Sequence, residues 1–348
     1  MSYHLHGGDI YRHQNVTDFS ANCNPFGTPE SVKQAAVLAM EEVCNYPDTC
    51  CQELREAIGA YEGVNPDWIL CGNGAADLIF RLVLGEKPKK ALLPAPVFAE
   101  YEQALETAGC QVQHYFLKEE NGFLLDEGFL AAIEEGVDMV FVCNPNNPTG
   151  VLTRRELLLR ILEKCRERNC LLVLDECFVD FVEEPEAHTL KECLDRSSNL
   201  FLLKAFTKRY AMAGVRLGYG LCSNPGILER AALCGQPWSV STIAQKAGVA
   251  ALKEEAYVAR TMQVIRKERC RMLEEMKKAG YITFASSANY IFFKGPKDLY
   301  ENCLKAGFLI RDCSNYHGLE KGYYRIAVKL REDNDRLLRV LARYGKEG

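Results

Sequence analysis

The chain repeats one pattern: a short run of consecutive apolar residues, then a longer helical stretch. Met139-Val140-Phe141-Val142-Cys143 and Leu171-Leu172-Val173-Leu174 contain no polar residue at all. A strand with one wet face alternates apolar and polar residues, whereas an unbroken apolar run belongs to a strand covered on both faces. The other candidate strands are Trp68–Cys71, Ala91–Pro94, Leu200–Leu203 and Val215–Leu221. Helical patterns such as Ala75–Leu84, Val97–Ala108 and Arg154–Arg168 lie between them. That order predicts an α/β fold: a mostly parallel, mixed sheet between two layers of helices.

The character changes after about Asn224. One long helical stretch is expected from Thr242 to Ala279. After it come Asn289–Phe293, a helix near Lys297–Ala306, Phe308–Arg311, Tyr323–Val328 and an amphipathic helix over Glu332–Tyr344. This predicts a smaller α+β C-terminal domain. The 348 residues are enough for two domains at about 150 residues each. The expected division is an N-terminal arm over 1–28, a large domain over 29–225 and a small domain over 226–348. Formal net charge is −5 with no basic run, which argues against a nucleic-acid surface. No apolar run approaches the ~20 residues that span a bilayer, and Met1–His6 lacks an apolar signal core. A cytoplasmic location without membrane contact is expected. The 16 cysteines form no CxxC pair and sit mostly in apolar segments, so they read as buried thiols, and no metal site is expected.

Four segments at predicted strand ends carry chemistry. Lys208 and Arg216 follow the strand Leu200–Leu203: a lysine there can form an imine with a carbonyl cofactor, and the arginine fork suits a phosphate. Alone, the pair reads better as solvated basic residues. Asp175 ends the strand Leu171–Asp175, where ligands bind open α/β sheets; a helix-capping aspartate is an equal reading. Asn144-Pro145-Asn146-Asn147-Pro148-Thr149-Gly150 is a plain turn or a rigid display of amides. Cys71-Gly72-Asn73-Gly74-Ala75-Ala76 opens a helix, whose free amides favour phosphate, although one GxG is a weak signal.

Together these segments resemble the fold-type I, aspartate-aminotransferase-like family of pyridoxal-phosphate enzymes, over nearly the whole chain. The resemblance implies a large cofactor-binding domain, a smaller C-terminal domain and pyridoxal 5′-phosphate as cofactor. It implies that Lys208 bonds the cofactor covalently and that Asp175 keeps its pyridine nitrogen protonated. Asn147 would bond the phenolic oxygen, and Phe98 would stack on the ring. Gly74, Ala75, Ala76, Thr207 and Arg216 would hold the phosphate. Tyr46, in Asn45-Tyr46-Pro47-Asp48, would reach the cofactor phosphate of a second subunit, making a homodimer with a shared active site.

Within the family, histidinol-phosphate aminotransferases look close. His6-Gly7-Gly8-Asp9-Ile10 and Phe178 are instead similar to the L-threonine-O-3-phosphate decarboxylases of cobalamin biosynthesis, in which phenylalanine stands where aminotransferases usually have tyrosine. That likeness implies a phosphorylated amino-acid substrate held by His6, Gly7, Asn22, Asn147, Arg311 and Arg325. Arg325 would take the carboxylate, and His6 and Arg311 the phosphate. Taken singly, these are an ordinary terminal histidine and ordinary surface arginines. Ala205 replaces a hydroxyl donor of many relatives, and Asp9 replaces the usual asparagine. Decarboxylation is the first expectation and amino transfer from histidinol phosphate to 2-oxoglutarate the second. A cofactor-sensing regulator of this fold usually carries a DNA-binding domain, for which the sequence shows no basic surface signal, and a nucleotide-binding module lacks a Walker lysine motif and leaves Lys208, Asp175 and the asparagine turn unexplained. Cys143 and Cys177 flank the expected site and carry an expectation of sensitivity to oxidation.

Overall fold

The computed structural model describes residues 6–345. Its strands are β1 (Thr17–Asp18), β2 (Ile69–Gly72), β3 (Lys90–Ala95), β4 (Gln111–Phe116), β5 (Met139–Cys143), β6 (Leu171–Asp175), β7 (Leu200–Ala205), β8 (Gly218–Leu221), β9 (Ile282–Thr283), β10 (Tyr290–Lys294), β11 (Phe308–Leu309), β12 (Arg311–Asp312) and β13 (Tyr323–Ala327). Seven form the central sheet in the order β2-β8-β7-β6-β5-β3-β4. β4, β3, β5, β6 and β7 run parallel, and β8 is antiparallel to both its neighbours. Alternate residues of the apolar strands enter two different cores. Val140, Val142, Leu172 and Leu174 face one, and Met139, Phe141, Leu171 and Val173 the other. The unbroken apolar runs therefore mean what their pattern implies. Each such side chain taken from water is worth roughly 1.5–3 kcal/mol, which fixes strand position firmly.

A second sheet, order β12-β13-β10-β9, is wholly antiparallel. Its core includes Ile291, Phe293, Tyr324, Ile326 and Leu337. β1 pairs in parallel with β11, with Thr17 opposite Phe308, so the N-terminal segment is stitched to the C-terminal part of the chain.

Four local expectations change. β4 was not expected; its Gln111-Val112-Gln113-His114-Tyr115-Phe116 mixes polar and apolar residues because it is an edge strand. The stretch 242–279 is two helices, Thr242–Ala251 and Glu255–Lys278. The first packs on helices Glu30–Leu38 and Gln52–Glu62, and the second runs along the antiparallel sheet. Phe308–Arg311 splits at Ile310, handing the chain from β1 to β13. The strand expected from Val215 begins only at Gly218, because Arg216 has a left-handed φ of 59°.

Candidate active site

The carboxyl ends of β2, β5, β6 and β7 lie along one edge of the central sheet and open into a cleft of about 350 Å³. Each end delivers one of the motifs. β6 ends in Asp175, 5% exposed. Its Oδ2 accepts from the Tyr101 hydroxyl at 2.5 Å and its Oδ1 from the Cys177 amide at 2.9 Å. Burial raises its pKa against the help of these donors. Among the described residues no lysine or arginine forms an ion pair with it. A buried carboxylate without a cation fits a protonated ring nitrogen.

β5 leads into the asparagine turn, where the three amides divide their work. Asn144 accepts from the Thr153 amide at 2.8 Å, and Asn146 donates to the Pro96 carbonyl at 3.1 Å and to Thr149 Oγ1 at 2.9 Å. These two hold the turn. Asn147 lines the cleft, and its Oδ1 accepts from Arg325 Nη1, which leaves Nδ2 as a donor for a ring oxygen.

β2 ends at Gly72, and the chain turns through Asn73 to Gly74, which starts helix Ala75–Glu86 with φ at +85°. A Cβ there would lie 2.5 Å from Arg216 Nη2. The guanidinium thus crosses directly over the helix terminus, and no side chain caps it. The open amides of the first turn, Arg216 and the buried Thr207 make a cradle suited to a phosphate. β7 passes into the short helix Phe206–Arg209, which sets Lys208 in the same cleft. Ala205 lines it too, without a hydroxyl to offer. Phe98 borders the cleft edge-on to Tyr101, and Phe178, 5% exposed, stands edge-on to Tyr290. These groups fit pyridoxal phosphate: a cradle for the phosphate, a carboxylate for the ring nitrogen, an amide for the ring oxygen and a lysine for the aldehyde.

The opposite wall comes from the second sheet and the N-terminal segment. Arg311 and Arg325 face each other across β12 and β13, 7% and 6% exposed. Arg311 donates to the Asp312 carbonyl at 2.6 Å and to Asn315 Oδ1 at 2.8 Å. Arg325 donates to the Ser20 carbonyl at 3.0 Å as well as to Asn147. The Nε of each is buried without a partner, and neither forms an ion pair among the described residues. Like charges opposite one another on a sheet, out of water, are unfavourable unless anions join them. His6, Gly7 and Asn22 border the same space. Gly7 packs so closely that a Cβ would lie 2.3 Å from the Ser20 carbonyl oxygen, and the Gly8 amide donates to Ser20 Oγ at 2.7 Å. Asn22 is 1% exposed with its Oδ1 unpartnered.

Sequence reasoning missed Glu100. It lines the cleft, its Oε1 lies 3.3 Å from His6 Nδ1, and its Oε2 is buried without a partner. Burial pushes its carboxyl up to about 7, although Arg311, Lys208 and Arg325 all pull the other way. In the sequence it is one acidic residue at the start of an acidic helix, where a solvated carboxylate is ordinary. Tyr101, Asn315 and Tyr316 were missed as well. Their one signal is proximity in sequence to Phe98 and Arg311.

Tyr46 does not reach this cleft. It is 79% exposed and stacks on Trp238 at 4.4 Å. Asp9 does not line the cleft either and pairs with Arg12 at 2.9 Å. Cys143 and Cys177 do flank it, but burial, with Asp175 nearby, raises both thiols well above their ordinary pKa. They stay protonated, which runs against the expected sensitivity to oxidation.

Residues 14–341 match the family model for aminotransferase class I and II. The chain is 36% identical to threonine-phosphate decarboxylase of Salmonella typhimurium, over 97% of this chain and 95% of that protein. It is 34% identical to a histidinol-phosphate aminotransferase of Desulfitobacterium hafniense, over 95% and 93%. A crystal structure of the histidinol-phosphate aminotransferase from Clostridium acetobutylicum superimposes with a TM-score of 0.87 at 31% identity, covering 93% of this chain and 97% of that one.

Proposed function

The chain belongs to the class I and II aminotransferase family, whose cofactor is pyridoxal phosphate, and on that premise we propose that it decarboxylates L-threonine O-3-phosphate to (R)-1-amino-2-propanol O-2-phosphate. The observation that carries this reading is the buried pair Arg311 and Arg325, facing each other with unpartnered Nε groups on one wall of the cleft. The substrate carries a phosphate and a carboxylate a few atoms apart, so it brings one anion for each guanidinium. The segment His6–Gly7 closing on Ser20, and Phe178 in place of a hydroxyl-bearing residue, add support.

When bound, the cofactor supplies an electron sink for whichever Cα bond stands perpendicular to its ring. The task of the chain is to choose that bond. Arg325, held by Asn147 and the Ser20 carbonyl, takes the carboxylate, while Arg311 and His6 take the phosphate. Two anchors on one small substrate fix its rotation. Asp175 would hold the proton on the ring nitrogen, and the Lys208 amine, in the same cleft, would return a proton to Cα. A cytoplasmic location, a place in cobalamin biosynthesis and a homodimer with Tyr46 at the partner's cofactor complete the proposal.

Incubation of the holoenzyme with phosphothreonine tests it. Carbon dioxide and aminopropanol phosphate are expected in equal amounts, and Lys208→Ala is expected to make neither. The 34% identity to a histidinol-phosphate aminotransferase supports a second reading. Rapid amino transfer from histidinol phosphate to 2-oxoglutarate, with no carbon dioxide from phosphothreonine, would establish that reading instead.

A further inference from the structure

Outside the cleft, three side chains from separate elements converge. Glu102 lies on helix Ala99–Thr107, His114 on β4, and His317 in the segment between β12 and β13. Glu102 divides its carboxylate between the imidazoles. Its Oε1 is 3.4 Å from His114 Nε2, and its Oε2 is 2.8 Å from His317 Nε2. The two rings are 4.6 Å apart, and the ligand atoms all lie within 4.8 Å of one another. The three border a recess of about 100 Å³.

We propose that Glu102, His114 and His317 form a site for a borderline divalent transition cation such as Zn²⁺, with water completing its coordination. Two imidazole nitrogens and one carboxylate are a donor set for zinc, cobalt or nickel rather than for calcium or magnesium. At a Zn–N distance of about 2.0–2.1 Å, tetrahedral ligands stand roughly 3.3 Å apart, so a small closure is enough. His317 is 60% exposed and open to solvent, while His114 and Glu102 are only 17% and 21% exposed. Sequence spacing could not show this site, because His114 and His317 stand 203 positions apart.

The cation would join the central sheet to the segment that carries Asn315 and Tyr316. Asn315 accepts from Arg311, and Arg311 lies over the Tyr316 ring at 5.3 Å. Occupancy therefore cross-links two parts of the molecule close to the anion-binding wall, and stability is its direct readout.

The test uses holoenzyme with its exposed thiols alkylated, since Cys44, Cys50, Cys234 and Cys270 would otherwise compete for metal. Titration with ZnCl₂ is followed by calorimetry and thermal unfolding, and CoCl₂ is used for absorption spectra. One equivalent is expected to bind with a Kd of about 1 µM or tighter and to raise Tm. His317→Ala and Glu102→Gln are expected to weaken it at least about tenfold and to abolish the rise in Tm, while His13→Ala changes neither. Cobalt should give visible bands without a thiolate charge-transfer band. Equal binding by His317→Ala, sulfur ligation of cobalt, or no saturable binding below about 100 µM would overturn the proposal.

Discussion

Glu100 faces three cations, yet burial outweighs them and pushes its carboxyl up to about 7. Below that pH it is neutral and adds no negative charge beside Arg311 and Arg325. Above it, a negative charge enters the same space. The KM for phosphothreonine is therefore expected to rise as pH passes from about 6 to 8, by roughly threefold to tenfold more in the wild type than in Glu100→Gln. Glutamine keeps an acceptor for His6, so equal pH profiles in the two proteins would remove Glu100 from this role. Phe178 raises a second question at this scale. The neighbouring Tyr290 hydroxyl is already committed to the Asn146 carbonyl at 2.7 Å, so no hydroxyl replaces the one that phenylalanine lacks. Adding one in Phe178→Tyr favours the deprotonated lysine–cofactor link. The pH midpoint of the cofactor's visible absorbance is expected to fall, and an unchanged spectrophotometric titration counts against it.

At the scale of elements, β7 and the helix end at Glu62 hold the lysine-bearing turn from behind. Glu62 pairs with Lys204 at 3.2 Å and Lys191 at 3.1 Å, and accepts from the Tyr219 hydroxyl at 2.5 Å. Burial alone would raise its pKa, but the two lysines and Tyr219 win and hold it at about 2. A depressed carboxylate adds stability above its unfolded pKa and loses it as pH falls through the folded one. The loss from this group runs from about pH 5 down to about 2 and is worth roughly 3 kcal/mol. Glu62→Gln is expected to lower stability at pH 7 by about that amount and to flatten its acid dependence, as read by urea unfolding at several pH values. This network was invisible in the sequence, since Glu62, Lys191 and Lys204 are far apart in the chain. What could be read was whatever local pattern alone decides. β5 and β6 keep the bounds their apolar runs suggest, because both faces are buried. The edge strand β4 lacks that signal. The break at Leu252-Lys253-Glu254 has no glycine or proline to announce it and is set by what each helix packs against. The cleft motifs were legible because they stand at strand ends, whereas Glu100 and the Glu102 cluster needed the third dimension.

Exposed apolar side chains gather in the segment from Val37 to Tyr46, and Tyr46 stacks on Trp238. Val37, Leu38, Met40, Val43, Tyr46 and Trp238 are all between 47% and 79% exposed. Exposed aliphatic and aromatic groups gathered in this way mark an interaction surface, and Tyr46 among them is the residue proposed to reach a second cleft. Sedimentation is expected to give a dimer, and Tyr46→Ala is expected to release cofactor more readily while Lys208 stays intact. A monomer that retains full cofactor affinity would rule this out. The pairing of β1 with β11 has a consequence for how the protein is made. Thr17 binds opposite Phe308, the Ala327 amide donates to the Phe19 carbonyl at 2.8 Å, and Arg325 reaches the Ser20 carbonyl. A ribosome adding about 5–20 residues per second needs roughly 15–60 s to get from one partner to the other. Throughout that interval the leading segment has no native strand to join. The front wall of the cleft is thus sealed at the end of translation, and nascent chains halted before Tyr323 should be cut by protease ahead of Phe19, where released chains resist.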